Sequence, residues 1–163
     1  MSGAASLTVE RLRGVLDYDP KTGVFCWRQN RYRKRIGTVA GYRCSSGHLQ
    51  IRIDGRAYLA HRLAWLHVYG RWPAEQLDHR DTVRTHNWLD NLREATHAQN
   101  QQNSRPKRKG VLKGVWLKDG KWATAIRVDG FRIHLGYFDT AEAAHVAYVA
   151  AASKHHGEFA RAA

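Results

Sequence analysis

A short basic segment, Ser104-Arg-Pro-Lys-Arg-Lys-Gly110, divides this 163-residue chain into two parts that must each form a core of their own. Proline, glycine and adjacent like charges disfavour both helix and strand, so the segment predicts a linker. We therefore predict one domain at residues 1–104, a basic linker at 105–112 and a smaller domain at 113–163. Apolar residues make up 43% of the sequence and include six Trp, which is enough for two small cores and argues against a disordered basic tail.

Both parts of the chain carry an excess of positive charge. Lys and Arg number 27 against 14 Asp and Glu, which gives a formal net charge of +13. Nucleic acid is the usual partner for such a charge, because neutralising phosphates releases condensed counterions. A basic solvated surface is the alternative explanation, and composition alone also leaves an anionic membrane surface open as a partner.

The sequence shows no membrane-spanning or secretory signal. No apolar run reaches the ~20 residues of a membrane helix, and the N-terminal residues contain no apolar leader. The cysteines, Cys26 and Cys44, are too few for a disulfide framework and lack the close pairing of a zinc ribbon. We therefore predict a cytoplasmic protein with no membrane partner.

Turn signals and hydrophobic periodicity predict short elements in the first part. Apolar residues at helical spacing from Leu7 to Leu16 predict a first helix, and Gly23–Trp27 predicts a short strand. Gly41–Arg56 predicts a hairpin with a tight Asp-Gly turn. Residues 59–68 predict an amphipathic helix that ends at Gly70.

The residues best suited to chemistry lie between positions 77 and 103. Asp78 offers oxygen ligands for a hard divalent cation, and the adjacent His79 can take a proton from water near neutral pH. Successive strand residues point to opposite faces, so these two side chains can serve one site only at a strand end or in a turn. The carboxamides of Asn91 and Asn100 follow downstream.

This stretch resembles the HNH nuclease family, in its phage and homing-endonuclease branch, and the resemblance covers about residues 7–103. The segments that carry it are Leu77-Asp-His-Arg-Asp81, Asn91-Leu-Arg-Glu-Ala-Thr96, Asn100-Gln-Gln-Asn103, Leu16-Asp-Tyr-Asp-Pro-Lys-Thr-Gly-Val-Phe25 and Ala60-His-Arg-Leu-Ala-Trp65. The resemblance implies a ββα-metal finger at about residues 74–104. In that fold an Asp-His pair ends one hairpin strand, an Asn-Leu pair opens the other, and a helix follows.

Roles for four residues are implied by this resemblance. His79 would be the general base, and Asn91 would brace the hairpin loop and so orient His79. Asp78 and Asn100 would bind one divalent metal ion, Mg²⁺ or Mn²⁺, with Asn100 standing in place of the final His of the family name.

Two further expectations concern residues around this motif. His61 is also similar to a family residue, and we interpret it as a buried, hydrogen-bonded helix histidine. The loop 80–87 lacks the glycine that the family usually has there, so we expect Asp81 or Asn87 to adopt any left-handed conformation.

The second part predicts three short strands followed by an Ala-rich helix with Thr140 as its N-cap. Strand alternation gives this sheet one apolar and one basic face. The residues on the apolar face are Trp122, Thr124, Ile126, Ile133 and Leu135, and those on the basic face are Ala123, Ala125, Arg127, Arg132 and His134.

This part resembles the AP-two (APETALA/ethylene-response-factor) DNA-binding domain. The residues that carry the resemblance are Lys113-Gly-Val-Trp116, Gly120-Lys-Trp-Ala-Thr-Ala-Ile-Arg127, Leu135-Gly-Tyr-Phe-Asp-Thr-Ala-Glu-Ala-Ala144 and Ala147-Tyr148. It implies a three-stranded antiparallel sheet packed on one helix, with the sheet entering the major groove of DNA. The predicted fold class is therefore α+β, an N-terminal HNH domain plus this small module.

Together these features predict a metal-dependent HNH DNA endonuclease of homing type. It would hydrolyse phosphodiester bonds in double-stranded DNA, as a monomer of phage, prophage or bacterial host cytosol. The basic segments predict DNA contacts at Arg31, Arg33, Lys34, Arg35, Lys107, Arg108 and Lys109. The resemblance to the AP-two domain implies further DNA contacts at Trp116, Lys118, Arg127, Arg132 and His134. Two alternatives stay open: a non-catalytic DNA-binding regulator that keeps the finger as a scaffold, and an RNA-binding protein.

Overall fold

The structure is a computed structural model that describes residues 7–30, 35–103 and 112–160. It divides into two compact units, Met1–Ala95 and Thr96–Ala163. The division falls at residue 95, whereas the boundary expected from the basic segment lies at residue 104. The limits of the two domains stay a prediction.

The first unit consists of short helices and antiparallel hairpins. Its elements are helix α1 (Val9–Val15), strands β1 (Leu16–Tyr18), β2 (Phe25–Trp27), β3 (Tyr42–Arg43), β4 (Leu49–Ile53) and β5 (Arg56–Leu59), helix α2 (Ala60–Tyr69), strand β6 (Gln76–His79), a 3₁₀ turn (Leu89–Asn91) and strand β7 (Leu92–Ala95). The strands pair in the orders β1-β2, β3-β4-β5 and β6-β7. The expected first helix, short strand, hairpin and second helix are confirmed.

Local signals define these elements. The Thr8 hydroxyl accepts a hydrogen bond from the Arg11 amide and so caps α1. Gly70 ends α2 in the left-handed conformation, with φ 70°. Asp54 and Gly55 both have positive φ, 48° and 81°, as a two-residue turn between β4 and β5 requires.

Helix α2 packs against α1, β4 and β5 and closes the core of the first unit. The side chains that are almost completely buried there are Leu12, Val15, Leu16, Phe25, Ile51, Ile53, Leu63, Ala64 and Leu66. Because α2 leads into β6, this core fixes the start of the β6–β7 hairpin.

The second unit contains one sheet and one long helix. Its elements are helix α3 (His97–Gln102), strands β8 (Val115–Lys118), β9 (Lys121–Val128) and β10 (Phe131–Phe138), helix α4 (Ala141–His156) and a 3₁₀ turn (Gly157–Phe159). The antiparallel sheet has the order β8-β9-β10, and α4 packs on it. The Thr140 hydroxyl accepts from the Ala143 amide, which confirms the expected N-cap.

A close approach of backbone to an aromatic ring supports this packing. A Cβ atom at Gly114 would lie 2.1 Å from the ring of Tyr148, so only glycine fits there. Tyr148 is buried with Ile126 and Ala152 in the core of the second unit. In the described parts of the chain, no helix combines the length and apolarity that crossing a bilayer requires.

Candidate functional site

The β6–β7 hairpin positions the residues that the sequence pointed to. Asp78 lies opposite Arg93 and His79 lies opposite Leu92 in an antiparallel register. His79 is the last residue of β6, and Asn91 ends the 3₁₀ turn that leads into β7. The Asp-His pair therefore forms the last two residues of β6, and both residues are paired with β7 in a regular register.

The His79 ring is held in one orientation by Asn87. The ring is buried, and its Nε2 lies 3.2 Å from the Asn87 side-chain oxygen. Because a carboxamide oxygen can only accept, we assign the proton to Nε2, so Nδ1 is the ring nitrogen that can take up a proton. Burial lowers the pKa of His79, although the hydrogen bond to Asn87 opposes this shift. Near neutral pH the ring is therefore uncharged.

Two further imidazoles lie beside His79, and we call the three rings the imidazole cluster. The ring of His61, from the first turn of α2, is 5.1 Å from the ring of His79 and nearly perpendicular to it. The ring of His48, just before β4, is 5.0 Å from His61 and 5.8 Å from His79. Burial, with repulsion among the rings, lowers the pKa of His61 to about 3 and that of His48 to about 4.

The interpretation of His61 is confirmed in part. The side chain is buried in α2, with 5% of its surface exposed. Its Nδ1, however, makes no hydrogen bond within the residues that the structure describes. A buried polar atom without a partner carries a desolvation cost, and the spacing of residues around His61 did not predict it.

Because His61 is buried and neutral, we expect the stability of the first unit to fall at acidic pH. Its pKa is about 3 in the folded state and about 6.5 when unfolded, so below about pH 6.5 only the unfolded chain takes up the proton. Stability is therefore lost as the pH falls, by about 2 kcal/mol between about pH 6.5 and pH 5 from this residue alone. Urea titrations followed through amide signals of residues 7–95 should show this loss in the wild type. A His61→Phe variant should show a smaller loss, and an equal loss would contradict the assignment.

The loop between β6 and β7 is held by the side chain of Asn91. Its oxygen accepts from the Asp81 amide at 3.0 Å, and its nitrogen donates to the Asp81 carboxylate and the His86 carbonyl, both at 2.9 Å. A short hydrogen bond of 2.6 Å between His86 Nδ1 and Asp81 Oδ2 closes the loop further. These contacts show how Asn91 braces the loop, whereas its part in catalysis stays a prediction.

The left-handed residue of this loop is Thr82, with φ 64°, so the expectation of Asp81 or Asn87 was wrong. The Asp81 carboxylate instead accepts from the Val83 amide at 2.8 Å and from Asn91. Asn87 is buried against His79. Its orienting role was missed, and no sequence signal separates Asn87 from the other polar residues of the loop.

Residues of β1 and of the β1–β2 turn contact the backbone at Asn87 and Trp88, near the end of the loop between β6 and β7. The Tyr18 hydroxyl donates to the Asn87 carbonyl at 2.8 Å. Gly23, with φ 74°, approaches so closely that a Cβ there would lie 2.3 Å from the Trp88 nitrogen and 2.4 Å from the Asn87 carbonyl carbon. The backbone that carries Asn87 thus rests directly on a glycine.

The Asp78 carboxylate is engaged by a guanidinium. Nε and Nη2 of Arg93 donate to Asp78 Oδ2 at 2.9 and 2.7 Å, and both side chains are more than nine-tenths buried. A buried carboxylate needs such a partner to retain its charge. Arg93 was missed as a partner, because only the register of the hairpin reveals that it faces Asp78.

The metal ligands implied by the resemblance are Asp78 and Asn100. Asn100 lies on α3 in the second unit. Among residues 7–30, 35–103 and 112–160, no group of three or more His, Cys, Asp or Glu side chains is arranged to hold a metal ion, and the imidazole cluster is not such a group. One carboxylate and one carboxamide suit a hard cation that keeps several waters and binds phosphate oxygens, rather than a zinc cage.

The sheet of the second unit presents a basic and aromatic face. Directly paired residues of antiparallel strands share a face, and the register pairs Trp116 with Ala123, His134 with Ala125, and Arg127 with Arg132. The predicted contacts on this face are Trp116, Lys118, Arg127, Arg132 and His134. The Arg132 guanidinium lies 4.4 Å from the centre of the Trp116 ring, a cation–π contact.

A β-bulge adds Tyr137 to this face. The register shifts between His134 and Gly136, so Leu135 is an extra residue and Tyr137 pairs with Ala123. The Tyr137 ring then lies 4.7 Å from the His134 ring. Simple alternation places Tyr137 on the opposite face, and the only sequence signal for the bulge is a glycine within the strand.

The remaining predicted DNA contacts are in the basic segments. Arg35 is exposed in the first unit. The others lie outside the described residues, and they are Arg31, Arg33, Lys34, Lys107, Arg108 and Lys109.

Comparison with known families gives one match. Residues 58–102 match the family model described as HNH endonuclease. The matched segment contains α2, the β6–β7 hairpin and α3, and with them Asp78, His79, Asn91 and Asn100. A comparison with curated proteins and a comparison with solved structures found no match. On the match and the geometry together, residues 58–102 of this chain are an HNH endonuclease domain.

Proposed function

We propose that this protein is a metal-dependent DNA endonuclease of homing type that hydrolyses phosphodiester bonds in duplex DNA. The observation that carries the proposal is the neutral ring of His79, oriented by Asn87 at the end of β6 inside the HNH domain. A positioned neutral imidazole is the group that takes a proton from an attacking water.

The reaction follows from this arrangement. The water oxygen forms a bond to phosphorus while His79 takes the water proton at Nδ1, and the bond from phosphorus to the 3′ oxygen breaks. The 3′ oxygen leaves and takes a proton from solvent, which gives a 5′-phosphate and a 3′-hydroxyl. Asp78 and Asn100 would hold the divalent cation. When bound, it supplies positive charge to the phosphate oxygens.

The second unit would hold the duplex as an AP-two-like module. Support comes from the basic and aromatic sheet face, where Trp116, Arg132, His134 and Tyr137 contact one another. Most of its charges would contact phosphates, since such contacts position a protein on DNA without specifying sequence. The basic segments would add further phosphate contacts. The resemblance of residues 7–103 to the phage and homing-endonuclease branch of the HNH family supports a monomer of phage or prophage origin that acts in the cytosol.

Cleavage of duplex DNA tests this function. Purified protein with Mg²⁺ or Mn²⁺ should cut or nick duplex DNA that includes the sequence flanking its own coding locus. Excess EDTA should abolish cleavage, because the hard oxygen ligands release the cation to the chelator. Strand-resolved products should carry 5′-phosphate ends. Absence of cleavage with every divalent ion tested would contradict the proposal.

A non-catalytic DNA-binding regulator is the second candidate, and one observation favours it. Arg93 already occupies Oδ2 of Asp78, so a cation must share this carboxylate with a guanidinium. A regulator would bind duplex DNA equally well in EDTA and would cut none. A salt-titrated binding series with duplex DNA and folded RNA would separate both DNA functions from RNA binding.

A further inference from the structure

Two exposed arginines of the first unit converge beside the imidazole cluster. Nη1 of Arg84, from the β6–β7 loop, donates to the Ser46 carbonyl at 2.6 Å. A Cβ at Gly47 would lie 3.8 Å from Cδ of Arg84 and 3.9 Å from Nη2 of Arg43, so both side chains meet around this glycine. The β3–β4 turn and the β6–β7 loop thus form a notch lined by two guanidinium groups.

The notch is connected to His79 through Ser46 and His48. The Ser46 hydroxyl lies 3.0 Å from Nδ1 of His48, whose ring is in turn 5.8 Å from the His79 ring. Ser46 therefore contacts the Arg84 guanidinium through its carbonyl and the His48 ring through its hydroxyl, which places the guanidinium next to the imidazole cluster. An anion held by Arg84 would therefore lie close to the base.

The positive charge of the notch has no carboxylate counterion among the residues that the structure describes. Within the described ranges, no carboxylate forms an ion pair with Arg84 or Arg43, in contrast to Arg93 with Asp78. A guanidinium carries five N–H donors in a planar fork, and one nitrogen of Arg84 donates to the neutral Ser46 carbonyl. The remaining donors match two oxygens of a phosphate group.

The loop that carries Arg84 is already ordered. Asn91 holds Asp81 and the His86 carbonyl, and these contacts enclose position 84 on both sides in the chain. A preorganised donor loses little entropy when the ligand arrives and so acts most strongly where charge develops.

We propose that Arg84 and Arg43 form a phosphodiester-binding notch beside His79, in which Arg84 holds the scissile phosphate. This inference rests on the proposed endonuclease function and adds a substrate-contacting residue to it. Arg84 then donates to the non-bridging oxygens, whose charge increases as the water attacks. Its removal should slow the chemical step more than it weakens DNA binding.

Single-turnover cleavage with saturating duplex tests this assignment. Arg84→Gln should lower the rate by about 100-fold, while DNA affinity falls less than about threefold and the salt slope falls by about one. Arg84→Lys keeps the positive charge without the planar fork of donors, and its cleavage rate should be about 10-fold lower than that of the wild type. Arg13→Gln is the matched control, because Arg13 is also exposed and also donates to a backbone carbonyl, that of His67 at 3.0 Å. It should cleave at the wild-type rate.

A second measurement keeps the inference separate from the endonuclease function. In EDTA, a short duplex should shift the ring-proton NMR signals of His48 and His79 in the wild type and in Arg13→Gln, but not in Arg84→Gln. If the wild-type protein cleaves DNA and Arg84→Gln cleaves it at the same rate, the proposed role of Arg84 is wrong and the endonuclease function stands. Loss of all wild-type cleavage with the ring shifts retained would overturn the endonuclease but leave the phosphodiester site. Absence of the shifts in the wild type would overturn the notch.

Discussion

Replacing His79 with alanine should lower the single-turnover rate of DNA cleavage by about 10³-fold and leave DNA affinity within about twofold. General acid–base catalysis contributes about 10²- to 10⁴-fold, and His79 is the oriented, neutral imidazole at the end of β6. Burial keeps the His79 ring neutral, so it contributes no positive charge toward phosphate, and we expect DNA binding not to depend on it. Quenched-flow cleavage and fluorescence anisotropy with the same duplex would measure the two quantities.

The control for this variant is an exposed histidine far along the chain. His155→Ala, at the exposed C-terminal end of α4, should cut at the wild-type rate. The substitution removes the ring contacts of His79 with His48 and His61, so the fold of the variant must be checked. Thermal unfolding should show that His79→Ala is folded. If folded His79→Ala protein cuts DNA at the wild-type rate, His79 is not the general base.

Local sequence signals predicted the elements because each acts within a few residues. The cap at Thr140, the turn at Asp54-Gly55 and the stop at Gly70 need only the backbone conformation of their own segment. The Asp-His pair at a strand end and the following helix are likewise adjacent in sequence. These features therefore appear in the structure where they were expected.

The contacts within the site could not be predicted in the same way. The pairing of Asp78 with Arg93 depends on hairpin register, and the placement of Tyr137 depends on one extra residue in β10. The hydrogen bond from His79 to Asn87 depends on the path of a loop without glycine. Each is a long-range consequence of packing, which residue type and spacing do not determine.

The imidazole cluster shows how the fold of the first unit serves the HNH domain. His48 comes from the turn before β4 and His61 from α2, so the core that fixes α2 on β4 also fixes two of the three rings. His79 arrives from a separate hairpin. The orientation of His79 therefore depends on residues both inside and outside the 58–102 segment.

Replacing Gly23 with alanine should lower the free energy of unfolding of the first unit by about 3 kcal/mol or more. A left-handed alanine costs about 1–2 kcal/mol, and here the new Cβ would also lie 2.3 Å from the Trp88 nitrogen and 2.4 Å from the Asn87 carbonyl carbon. Both contacts are with backbone, so no side-chain rotation relieves them. Urea unfolding followed through amide signals of residues 7–95 would measure the loss.

Gly55→Ala is the matched control, because Gly55 has a similar φ of 81° but a Cβ there meets nothing within 4 Å. Gly55→Ala should lower the free energy of unfolding by about 1–2 kcal/mol, which is the cost of a left-handed backbone conformation for alanine. The difference between the two variants isolates the close approach. Since the displaced backbone carries Asn87, folded Gly23→Ala protein should also cleave DNA more slowly than Gly55→Ala, through loss of the His79 orientation. Equal stability and equal cleavage in the two variants would mean that the close approach of Gly23 does not support the loop that carries Asn87.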